Sequence, residues 1–178
     1  MPIGLLMIEH RLIERMVSIT KGRLKGIGEK EGIDPVFVDM AVDFFRIYAD
    51  RCHHGKEENI LFRDLAKKQL SAEHKKMMDE LVDEHVYARK AVGMLKDAKD
   101  NYVQGQKGTM EDIVGILKQL TDFYPKHIEK EDRHFFAPSM GYFGKQELDD
   151  MLQEFWEFDR KMIHEKYKKI VDDMEHVI

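Results

Sequence analysis

Apolar residues recur three and four positions apart along most of the chain. Phe37, Met40, Phe44, Ile47 and Cys52 mark one such stripe, and Leu148, Met151, Leu152, Phe155, Trp156 and Ile163 mark another. Side chains at this spacing share one face of a helix, whereas a half-buried strand alternates every second residue, and no such alternation competes. Helix punctuation divides the pattern. A first helix is expected from about Ile3 to Leu24, ended by the turn residues Gly26, Gly28 and Gly32. Asp34 followed by Pro35 offers an N-cap and then a proline at the first helical position, where its missing N–H costs nothing. This second helix reaches about Lys68, and Ser71 can cap a third that runs to about Tyr102. Gly105 and Gly108 break the chain again, and Thr109 with Asp112 reads as a capping box for a fourth helix, in which Pro125 predicts a kink just before His127. Residues 138–144 read as a loop, followed by a fifth amphipathic helix from about Lys145 to His176.

The expected architecture is all-α: an antiparallel up-down-up-down four-helix bundle over residues 3–138 with an additional C-terminal helix over 145–176, in a single domain covering 1–178. Composition supports this reading. The 43% hydrophobic and 35% charged residues with only 4 Pro, in a chain of 178, suit a helical protein with a real core. A net charge of −5, with no Lys/Arg block dominating any segment, argues against nucleic acid as a partner. The apolar run Ile3 to Ile8 is stopped by Glu9 and has no basic residue before it, so neither a signal peptide nor a membrane span is expected. One cysteine, Cys52, excludes an internal disulfide and points to a reducing, cytoplasmic compartment, with the thiol read as a small buried hydrophobe.

Two segments repeat one another. His53-His54-Gly55-Lys56-Glu57-Glu58-Asn59-Ile60-Leu61-Phe62 aligns with His127-Ile128-Glu129-Lys130-Glu131-Asp132-Arg133-His134-Phe135-Phe136, sharing His, Lys, Glu and Phe at a separation of 74 residues, from 53 to 127. Leu6…Glu9-His10…Val17 recurs as Leu81…Glu84-His85…Val92 at a separation of 75, from 10 to 85, so both signals describe one doubling of a two-helix unit. The doubling preserves metal-ligand chemistry. Among the His-x-x-x-acid pairs at His10/Glu14, His53/Glu57, His54/Glu58 and His127/Glu131, it selects His53 with Glu57 and His127 with Glu131, and it matches His10 to His85.

Residues four apart lie on one face of a helix, so each selected pair presents a nitrogen and a carboxylate to one point in the core. With His10 and His85, every helix of the bundle supplies at least one ligand. Four imidazoles and two carboxylates exceed what one four-coordinate zinc requires. They suit two metal ions, each held by two histidines with both glutamates bridging, leaving positions for an oxo or hydroxo bridge and a small exogenous ligand. Imidazole with carboxylate is compatible with iron; manganese or a mixed pair fits the same donors.

The ordered set His10, His53-x-x-x-Glu57, His85 and His127-x-x-x-Glu131, with Glu-Asn-Ile-Leu-Phe and Glu-Asp-Arg-His-Phe-Phe continuing from Glu58 and Glu131, resembles the hemerythrin-like, or HHE cation-binding, family over roughly residues 3–138. The resemblance implies a non-heme di-iron centre that binds dioxygen or a related ligand such as nitric oxide. Carried over by position, His10 and His53 would hold one iron, His85 and His127 the other, with Glu57 and Glu131 as bridges. The classical oxygen carriers have a further histidine one helical turn before the one matched by His85; here that position is Leu81. This departure points away from a simple carrier and toward sensing, redox work or iron handling.

Other candidates fall outside the set. His54 with Glu58 has the right spacing, but the repeat places Ile128 at the partner of His54. Glu131-x-x-His134 is the ferritin-type motif, which such sites need from two helices and this chain offers once. His74, His164 and His176 read as surface residues, and Tyr48 and Tyr124 as packed aromatics near enough in sequence to donate to a bound ligand. Three function classes follow: a di-iron binding or sensing module, which would need a redox or signalling protein partner; a di-iron enzyme such as an oxidase, a peroxidase or an iron–sulfur-cluster repair protein; and an interaction protein with a structural metal. The absence of a nucleophile–base arrangement and of a Gly-rich phosphate loop lowers the second.

Overall fold

The computed structural model describes residues 1–27 and 32–175, with side chains through residue 162. Five long helices make up the molecule, and no strand occurs among the described residues. Helix α1 spans Ile3–Gly26. Helix α2 is α-helical over Pro35–Asp43, continues as wider π-helical turns over Phe44–His54 and Glu57–Phe62, and closes with an α-turn at Arg63–Leu65. Helix α3 spans Ala72–Val103. Helix α4 covers Thr109–Lys130, is prolonged by a π-turn at Glu131–Phe135, and ends in a short α-turn, Phe136–Ser139. Helix α5 spans Lys145–Glu175; His164 has no described side chain, and His176 lies outside the described residues.

The local signals explain most boundaries. The Asp34 carboxylate accepts the Val36 N–H at 3.0 Å, and the Ser71 hydroxyl accepts the His74 N–H at 3.1 Å. The capping box at Thr109 does not form. Gly108 takes a positive φ of 80° and turns the chain, so Thr109 is already helical and its hydroxyl donates back to the Gln106 carbonyl at 2.8 Å. Pro125 sits inside an uninterrupted α-helix, and the irregular turn comes later, at Glu131. Residues 138–142 are helical rather than a loop, with Pro138 in the short α-turn that ends α4.

Helices α3 and α4 lie against each other, α4 packs on α1, α2 packs on α3 and touches α1, and α5 lies along α2. Two separate apolar clusters fill the interior. One contains Ile13, Val17, Ala49, Ala91, Leu117 and Tyr124; the other contains Leu6, Ile60, Leu81, Phe135 and Phe136, joined by Met151 and Phe155 of α5. Trp156, next to Phe155 in the predicted stripe, points away and is 51% exposed. Reading along any of α1 to α4, the chain passes from one cluster to the other through the histidines. Each large side chain fully buried in these clusters contributes about 1.5–3 kcal/mol, so the layer between them is held by its apolar neighbours on both sides. No helix among the described residues is long and apolar enough to cross a membrane.

Candidate metal centre

The layer between the clusters is polar and buried. His10, His53, Glu57, His85, His127 and Glu131 are all buried there, brought from α1, α2, α3 and α4. A seventh residue joins them. His54 is fully buried, and its ring lies parallel to that of His85 with centroids 3.9 Å apart. The repeat had set His54 aside because its mate is Ile128. The reason for the difference is the π-helical backbone of α2: a wider turn rotates successive side chains by less than the roughly 100° of an α-helix, so neighbours 53 and 54 both face inward.

The donor atoms of these seven residues form two groups. His54, His85 and His127 make one; His10, His53, Glu57 and Glu131 make the other, the atoms of each lying within 4.8 Å of one another. Instead of two histidines on each side, the arrangement is three and two. The glutamates reach across both groups. Glu57 approaches the Nε2 atoms of His53 at 3.3 Å and His85 at 3.4 Å, and Glu131 approaches those of His10 at 3.1 Å and His127 at 3.4 Å. None of these contacts has hydrogen-bond geometry. The buried side-chain atoms with no partner among the described residues are the Nε2 atoms of His10, His53, His85 and His127, both ring nitrogens of His54, and all four oxygens of Glu57 and Glu131. An orphaned buried polar atom costs about 1–3 kcal/mol, so such a concentration is sustainable only where another species satisfies the atoms. Ligands at about 2.1 Å from a metal and at right angles to each other lie roughly 3 Å apart, close to the separations seen. The donor set fits metal cations.

Each of the four matched histidines is oriented from behind. Its Nδ1 meets a carboxylate: Asp132 for His10 at 2.7 Å, Glu9 for His53 at 2.9 Å, Glu58 for His85 at 2.7 Å and Glu84 for His127 at 2.7 Å. Such pairing fixes the tautomer and aims the other nitrogen inward. These carboxylates obey the repeat. Glu9 and Glu84 precede His10 and His85, and each serves the histidine of the following helix; Glu58 and Asp132 follow Glu57 and Glu131, serving His85 and His10. Phe62 stacks on His85 and Phe136 on His10 in the same relation. Cations then hold the carboxylates: Lys56 binds Glu9, Lys130 binds Glu84 at 2.5 Å, Arg89 binds Glu58 at 2.6 Å, and Arg11 binds Asp132.

Electrostatics divide the titratable groups. Burial pushes His53 down to about 4 against the pull of Glu9, and burial with the neighbouring imidazoles of His85 and His127 pushes His54 well down. For His10, burial opposes the charge, but the hydrogen bond to Asp132 and the adjacent Glu131 carboxylate prevail and raise it to about 9. Burial and the adjacent Glu131 drive Glu57 well up, while Glu131, despite its burial, is held well down by His127 and His10.

The remaining candidates take other places. Leu81 belongs to the apolar cluster, and His134 is exposed. His74 bonds the Tyr142 hydroxyl at 2.7 Å; Tyr124 is buried, stacked on Phe45, and Tyr48 stacks on Phe44. Cys52 is half-buried in a polar setting and not in an apolar one: its thiol donates to Asp159 at 3.3 Å, and burial pushes it up to about 12. Sequence spacing alone missed Glu9, Glu84 and Asp132, although Glu9 and Glu84 stand in the recurring Glu-His pair.

A helical scaffold whose centre is a buried layer of imidazoles and carboxylates defines a cation-binding protein. The family model of the hemerythrin HHE cation-binding domain matches the chain over residues 1–137 and again over 76–175, and the protein belongs to this family. No curated protein and no solved structure matches it.

Proposed function

We propose that the protein is a non-heme di-iron protein, with His10 and His53 holding one iron, His54, His85 and His127 the other, and Glu57 and Glu131 shared between them. The helices supplying these residues form an antiparallel up-down-up-down bundle in this reading, supported by the packing of α1 and α3 on α4 and of α2 on α3. The observation that carries the assignment is the convergence of the orphaned nitrogen and oxygen atoms on one buried layer. Imidazole with carboxylate suits iron, and manganese or a mixed pair would use the same donors.

The bound pair would supply redox chemistry and open coordination positions for dioxygen or nitric oxide. With three histidines on one side and two on the other, the His10–His53 side has more room for an added ligand. The surrounding phenylalanines exclude water, and the carboxylates behind His10, His53, His85 and His127 aim Nε2 inward and make it strongly donating. Gas sensing, redox work or iron handling in a reducing, cytoplasmic setting follows, with a redox or signalling protein as partner. Metal analysis of the purified chain with its optical spectrum under oxygen tests this: about two irons per chain and an absorption that changes on adding dioxygen or nitric oxide are expected. A chain that takes up no iron, or one whose iron spectrum ignores both gases, overturns it.

A further inference from the structure

Beside the His10–His53 side lies a buried ammonium. Lys56 is 0% exposed, yet it follows His53 by only three residues on α2 and belongs to no donor group. Its Nζ binds Glu9 Oε1 on α1 and Asp159 Oδ1 on α5, the latter at 2.7 Å. The other oxygen of Glu9, Oε2, holds His53 Nδ1 at 2.9 Å. An unbroken chain of contacts therefore runs from α5 through Lys56 and Glu9 to His53. Helix α5 comes close enough because residue 55 is glycine: a Cβ there would stand 2.8 Å from the Phe158 ring.

The other half provides an internal control. Lys130 occupies the repeat position of Lys56 and binds Glu84, the carboxylate behind His127. It is 27% exposed and shares its charge with Glu80, a surface residue of the same helix as Glu84. Water can replace such a partner; it cannot reach Lys56.

We propose that Lys56 and Asp159 are positioning residues for His53: the ammonium shared by Glu9 and Asp159 fixes Glu9, and through it the His53 ring, so that α5, none of whose described residues joins the two donor groups of the buried layer, governs how tightly the cation on the two-histidine side is held. This rests on the two-iron reading above. Losing a partner behind a ligand costs about tenfold to a hundredfold in metal affinity. Helix α5 keeps other anchors, Met151 and Phe155 in the apolar cluster and Glu154 on Arg63 at 2.6 Å, so Asp159→Asn leaves the fold in place.

The test titrates ferrous iron alone into the metal-free full chain in competition with a chelator, resolving two binding steps in wild type, Lys56→Met, Asp159→Asn and Lys130→Met. Lys56→Met and Asp159→Asn are expected to weaken one step by about tenfold or more and leave the other within about threefold. Lys130→Met is expected to change neither step beyond about threefold. Far-UV circular dichroism and melting temperature are read on each variant; should Lys56→Met not fold, Asp159→Asn decides. Both steps unchanged, a melting temperature that falls with both steps unchanged, or equal weakening by all three variants overturns the proposal while leaving the two-iron reading intact. A wild-type chain that binds no iron removes that reading, and this proposal with it.

Discussion

The two halves of the molecule, α1 with α2 and α3 with α4, build the same device twice and then differ at single positions. In both, a glutamate just before a histidine orients the histidine of the next helix, a lysine three residues beyond that histidine braces the glutamate, and the residue after Glu57 or Glu131 reaches back to the other half. Pairing of this kind yields two nearly equivalent positions. The differences then make them unequal. His54 adds an imidazole where its mate Ile128 packs in the apolar core, and Gly55, whose mate Glu129 is exposed, admits α5 over Lys56. Symmetry thus accounts for the likeness of the two halves, and departures from it for their differences.

The largest effect should come from the shared carboxylates. Glu57→Ala or Glu131→Ala removes a donor that reaches both sides, so iron per chain after a chelator wash should fall toward zero, whichever half is altered. Glu14→Ala, on an exposed i,i+3 pair with Arg11, should retain iron fully. Glu58 is no neutral control, because it braces His85; Glu58→Ala and its mate Asp132→Ala should each lower iron affinity about tenfold to a hundredfold. Loss from one half only would break the equivalence. His54→Ile copies Ile128 and makes the halves alike: it should weaken one iron-binding step about tenfold and leave the other, as read by the same chelator competition.

Removal of iron at neutral pH should leave far-UV circular dichroism helical, since the two apolar clusters hold the helices. Stability of that metal-free chain should nevertheless depend on pH. His53 is held near 4 in the fold and near 6.5 when unfolded, so between these values the unfolded chain binds the extra proton, and stability is lost as pH falls through the window, by about 3 kcal/mol. His10, raised to about 9, has the opposite sign: its contribution is present below 6.5 and is lost as pH rises toward 9. Thermal melts of the metal-free chain should show His53→Leu flattening the acid limb and His10→Leu the alkaline limb; unchanged limbs would contradict the assignment. The smallest effect is expected at the entry of α5. Gly55→Ala should cost about 1 kcal/mol by crowding Phe158, a fall of roughly 2–4 °C in melting temperature, whereas Glu129→Ala should stay within about 0.5 kcal/mol.

Five helices, their caps at Asp34 and Ser71, and the six matched residues His10, His53, Glu57, His85, His127 and Glu131 were all legible in the sequence, because helical periodicity and a repeat of 74 to 75 residues are local properties of the chain. What escaped it depended on contacts between helices or on departures from ideal α-geometry. The π-helical turns of α2 decide that His54 joins His53 inside, and no spacing rule written for 3.6 residues per turn anticipates that. Gly108 and not Thr109 starts α4 because a backbone angle, once available, relieves the need for a side-chain cap. Lys56 reads in sequence as one more surface charge of a mixed helix. Only the approach of α5, bringing Asp159 to its ammonium over Gly55, makes it a buried cation, because a charge can leave water only where opposite charges from elsewhere in the fold already wait for it.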